Sequence, residues 1–135
     1  MAKALGEISF QPLEKALESL EKGIATKPST DLERDGVIQR FEYTFELCWK
    51  SIRSLLLAMG RAEVSSSPKP LLRDALEENI IDDIKPWFAY LQARNHSTHT
   101  YNELNADDVY KLALQFPKAA RQLLSQLKAK NESIK

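Results

Sequence analysis

A single cysteine, Cys48, stands among 135 residues, so neither an internal disulfide nor a cysteine-based zinc site can staple this chain. Glycine is scarce at 4 and proline modest at 6, which excludes collagen-like and low-complexity sequence, and 43% hydrophobic residues supply a core. Net charge is also missing. Lys plus Arg number 19 and Asp plus Glu number 19, so no bulk basic field exists to hold nucleic acid, and any such contact must come from a local patch. No apolar run approaches the ~20 residues that a membrane helix needs, because Arg53 and Arg61 flank the strongest stretch, Leu55 to Met59. Met1 to Phe10 lacks the basic-then-apolar layout of a secretion signal, and a cytoplasmic location is expected. There is no glycine-rich phosphate loop, no Gly-x-Ser-x-Gly elbow, no alternating strand pattern and no fixed repeat.

What is present is helical periodicity. Phe10, Leu13, Leu17, Leu20 and Ile24 recur at steps of three and four with Glu and Lys between them, and Lys27-Pro28 stops that helix. Thr30 or Asp31 caps a second, in which Val37, Phe41, Phe45, Cys48, Ile52, Leu55 and Met59 hold one stripe up to Gly60. Leu71 to Ile81 suits a short third helix opened by prolines. Asp82 or Asp83 caps a fourth, with Trp87, Phe88, Leu91 and Arg94, expected to fray after Arg94. A last helix is expected from Asn105, Asp107 and Asp108 through Leu127, kinked or interrupted at Pro117, with a frayed tail over 128–135. The fold class is therefore all-α, an antiparallel four-helix up-and-down bundle with one additional short helix, in a single domain with its core over about 8–127.

Helical periodicity fails at Arg94-Asn95-His96-Ser97-Thr98-His99-Thr100-Tyr101, where both histidines gather with an arginine and a tyrosine. On an unbroken helix, Arg94 and His99 fall about 140° apart. If the helix bends or ends between them, a guanidinium and an imidazole could converge on one phosphate, with Asn95 as a supporting hydrogen-bonding group. That pair suffices for RNA cleavage without a metal: His99 moves the proton and Arg94 neutralises charge on the phosphate. A polar interhelix turn explains the same residues. So does a metal site, because His96, His99 and Glu103 could line one helical face.

Elsewhere, Phe41 and Phe45 belong to the core stripe, whereas Tyr43 and Trp49 lie off it and are expected to meet a second subunit. Glu42 and Glu46 are expected on a solvated or subunit-facing surface, and Cys48 in the core as a small hydrophobe.

Arg94, His99 and Tyr101 form Arg-x4-His-x-Tyr, and Arg40-Phe41-Glu42-Tyr43-Thr44-Phe45-Glu46-Leu47-Cys48-Trp49-Lys50 lies upstream. In these residues the chain resembles the HEPN family. More narrowly, it is similar to the nucleotidyltransferase substrate-binding proteins grouped with HepT toxins, over roughly residues 8 to 127. That resemblance implies a homodimeric, metal-independent endoribonuclease toxin needing no cofactor, with Arg94 and His99 catalytic at a cleft between the two copies. It implies as partners RNA and an MNT-type nucleotidyltransferase, the antitoxin, which transfers AMP to Tyr101. A non-catalytic substrate- or nucleotide-binding subunit is the alternative it leaves open.

Overall fold

The computed structural model describes the backbone of residues 8–99 and 103–134, and the side chains among these except 96–99 and 103–105. Five helices follow one another: α1 Gln11–Ala25, α2 Asp31–Ala58, α3 Pro68–Glu77, α4 Ile84–His99 and α5 Glu103–Ser133. There is no strand among the described residues. The fold is the expected all-α bundle of four long helices and one short. Arg121 bonds Glu21 and Lys128 bonds Glu14, a descending pairing that makes α5 antiparallel to α1. No helix of the described residues is long and apolar enough to cross a membrane.

Helix ends follow local chemistry. At the start of α2 the Thr30 side chain accepts from the Glu33 amide at 3.1 Å, and the Glu33 carboxylate accepts from the Thr30 amide at 3.1 Å, a reciprocal capping box. The Ser29 amide, then the Thr30 hydroxyl, hold the Glu33 carboxyl below its ordinary range. Its contribution is therefore complete above the ordinary glutamate range and is lost as pH falls through the lowered folded value. Thr30→Ala should reduce unfolding free energy by about 1 kcal/mol in urea titration at neutral pH.

Gly60, at φ +82°, closes α2: its amide bonds the Leu57 carbonyl and that of Arg61 reaches Leu56, which satisfies carbonyls the helix would otherwise leave open. Asn79, at φ +60°, ends α3 in the same way, earlier than the expected Ile81, with Ile80 and Ile81 buried just beyond the turn.

The core is aromatic at its centre. Phe116 of α5 meets Phe41 and Phe45 of α2 at 5.1 and 6.1 Å between ring centroids, and Trp87 and Tyr90 of α4 at 5.7 and 5.1 Å. Cys48 is fully buried in the same stripe, as expected, and burial pushes its thiol up, away from nucleophilic use.

Three expectations are revised around this core. First, of the kink or interruption expected at Pro117, the interruption does not occur, and α5 runs through that residue. Proline inside a helix costs about 3 kcal/mol, but burying Leu123, Leu124 and Leu127 beyond it returns roughly 1.5–3 kcal/mol each, so the helix continues. Second, the tail expected to fray over 128–135 is helical to Ser133, with Lys128 tied to Glu14 and Asn131 buried. Third, α4 does not fray after Arg94 but continues to His99. Propensity penalties of tenths of a kcal/mol per residue are small beside the anchoring of Trp87, Tyr90 and Ala93 in the core.

Candidate functional site

Arg94 leaves α4 just past the buried Ala93, and its side chain is 31% exposed. Its guanidinium is held by the Glu46 carboxylate of α2 in a charge-assisted hydrogen bond. α2 brings Glu46 there because Phe45 and Cys48 turn into the core on either side of it, so position 46 emerges at the margin facing α4. Two half-buried charges are thus matched across 48 residues of chain.

Glu46 was expected on a solvated or subunit-facing surface, and its pairing with Arg94 is the site feature that pattern reading missed. No local signal could have found it, because ion-pair spacing rules apply within one helix and not between helices. Asn95, the supporting polar candidate, is exposed.

The helix continues from Arg94 to His99, so the chain does not leave the helix between the two positions. Five residues place position 99 about 140° around the axis and about 7.5 Å along it. The side chains of His96, His99 and Glu103, and the whole of Tyr101, lie outside the described residues. The catalytic role of His99, the AMP-acceptor role of Tyr101 and the histidine metal alternative therefore rest on the sequence. No metal-binding group of His, Cys, Asp or Glu occurs among the described residues.

The other sequence candidates divide. Phe41 and Phe45 are fully buried, as core packing requires, and Trp49 is half-buried against the core. Tyr43 is 61% exposed. Of the basic residues on α2, Arg34 bonds Asp107 at the start of α5 at 2.9 Å, and Arg53 donates to the Ser65 carbonyl. Just beyond α2, Arg61 pairs with Asp74 and Glu78 of the α3 region. Those three are occupied as struts between elements. Arg40, like Arg53, donates to a backbone carbonyl, that of Ser19 in α1.

Residues 8–129 match the family described as nucleotidyltransferase substrate binding protein like. A Haemophilus influenzae protein named probable ribonuclease HepT is 34% identical over 100 residues, spanning 72% of this chain and 68% of that one. A crystal structure of a Thermus thermophilus protein superposes with a TM-score of 0.76 at 31% identity, covering 85% of this chain and 98% of that one. A second solved structure, of a Haemophilus influenzae protein described as having the fold of a substrate binding domain of a nucleotidyltransferase, gives a TM-score of 0.76 at 27% identity, covering 89% and 99%. With the family matched across nearly the whole bundle and the helices in the same arrangement, this chain is a homologue of a HepT ribonuclease and belongs to the nucleotidyltransferase substrate-binding protein family.

Proposed function

We propose that this protein is a metal-independent endoribonuclease, the toxin of a HEPN/MNT toxin–antitoxin pair in the cytoplasm. The observation that carries the reading is the Arg94 guanidinium, held by Glu46 at the protein surface five positions before His99. The named ribonuclease among its relatives supports it. In the proposed reaction His99 accepts the proton of a ribose 2′-hydroxyl as that oxygen attacks the adjacent phosphorus. The P–O bond to the next nucleotide breaks, and a proton returns to the departing 5′-oxygen. Arg94 stabilises the charge gathered on the phosphate oxygens, and Asn95 adds a hydrogen bond to the same group. The unbroken α4 favours a site shared by two copies, in which a homodimer cleft joins positions that diverge on one helix.

The partner MNT-type nucleotidyltransferase silences the toxin by transferring AMP to Tyr101. The tyrosine oxygen bonds the α-phosphorus of ATP, pyrophosphate leaves, and the added charge and bulk repel RNA from the cleft. The second reading, a non-catalytic subunit that presents substrate or nucleotide to the transferase, is favoured by the family's description and by its solved relative.

RNA cleavage in excess EDTA separates the two. Wild-type protein whose intact mass shows no adduct should cut, and His99→Ala should cut about 10²–10⁴-fold more slowly. Incubation with the transferase and ATP should add the mass of AMP to wild type and to His99→Ala but not to Tyr101→Phe. If no RNA is cut while AMP is still transferred, the subunit reading takes the place of the nuclease.

A further inference from the structure

Between α1 and α2 lies an open groove of about 800 Å³ whose lining includes Lys15, Gln39, Arg40 and the exposed ring of Tyr43, over a floor of small residues such as Ala16 and Gly36. No carboxylate lines it. Elsewhere on the bundle Arg34, Arg61, Arg121 and Lys128 are each matched by an acid. Neither Lys15 nor Arg40 forms an ion pair among the described residues. Arg40 is also held in place: it donates to the Ser19 carbonyl at 3.3 Å, and its guanidinium lies so close over Gly23 that a β-carbon there would sit 2.5 Å from Nη1.

A ligand matching this lining carries a flat ring for Tyr43, anionic charge for Lys15 and Arg40, and hydrogen-bonding edges for an amide such as Gln39. A nucleotide has all three. An acidic peptide would use the cations and leave the aromatic face idle. The groove also leads toward the site already described. Tyr43 and Glu46 are three residues apart on α2, less than one turn or about 4.5 Å along the axis, and Glu46 holds Arg94.

We propose that the α1–α2 groove is an auxiliary subsite for single-stranded RNA, in which Tyr43 stacks one base while Lys15 and Arg40 hold the adjoining phosphate. The assignment of RNA rests on the ribonuclease reading above. The subsite orients a strand whose neighbouring phosphate reaches Arg94, and because stacking accepts any base, it contributes affinity more than sequence preference.

The test measures anisotropy of a fluorescein-labelled 12-nucleotide oligouridylate in EDTA, on full-length His99→Ala protein so that the strand stays intact. Adding Tyr43→Ala should weaken binding roughly 5- to 150-fold, the loss of one stacked base. Adding Lys15→Gln, an exposed change that leaves the fold alone, should lower the slope of log affinity against log salt by about 0.7. Unchanged affinity in both, with helicity matched by circular dichroism, overturns the subsite. So does AMP that binds as tightly as the 12-mer, or a Tyr43→Ala protein that sediments as a smaller species, which would assign the ring to contact between copies. Wild-type cleavage is assayed separately. A protein that cuts while Tyr43→Ala binds RNA normally loses the subsite alone, whereas Tyr43-dependent binding by a protein that never cuts supports the subsite and removes the nuclease reading.

Discussion

Arg94→Ala protein should cleave RNA about 10²–10³-fold more slowly than wild type at saturating substrate, the scale on which one stabilising donor to a developing oxyanion acts. The arginine's charge is useful in that step only if its fork points at the phosphate, and among the described residues Glu46 holds it. Removing the carboxylate leaves a long side chain with more rotamers to choose from, so Glu46→Ala should lose part of the same rate without touching substrate. Glu46→Gln keeps an oxygen that accepts from the guanidinium, and it should recover most of that loss. A purely structural Glu46 would give a different result, with both substitutions lowering stability and neither changing the rate of the folded protein. Single-turnover cleavage measured beside urea unfolding separates these outcomes. Equal rates in Arg94→Ala and wild type would remove the arginine from the reaction.

The largest loss of stability is expected at Phe116. Its ring touches four others, from α2 and α4, and it has no exposed surface, so it joins three of the four long helices at one point. Phe116→Ala should cost about 3–5 kcal/mol, combining lost transfer energy with the cavity left among rings that cannot all move inward. Domains of this size are stable by only about 5–15 kcal/mol, so the variant should lie near the edge of folding at 37 °C. Thermal unfolding followed by circular dichroism reads this directly. A fall of less than about 1 kcal/mol would mean that the ring cluster repacks around the gap. The neighbouring Pro117 gives the comparison, because Pro117→Ala restores a backbone donor at a position where α5 is already continuous and should not destabilise it.

The course of the chain was legible wherever apolar spacing coincided with a chemical stop. Phe41, Phe45 and Cys48 share a stripe because four- and three-residue steps return to one face of a helix, and all three are buried. Thr30 and Gly60 bounded helices through bonds that extend no more than five residues, and Pro28 by lacking an amide hydrogen, so their effect could be read locally. The resemblance at Arg94, His99 and Tyr101 led to the family that the matched residues 8–129 bear out.

Where sequence reading failed, long-range energy outweighed local preference. Pro117 and the weak helix formers after Arg94 are unfavourable in isolation, yet both stretches are helical because the bundle buries the residues beside them. The pairing of Glu46 with Arg94, and the meeting of Lys15 with Arg40 and Tyr43 in one groove, join residues on different helices. Composition and periodicity thus determined that this chain forms helices and which faces they bury. The side chains that share a site were decided only when the helices packed, because a one-dimensional pattern specifies faces but not the neighbours those faces meet.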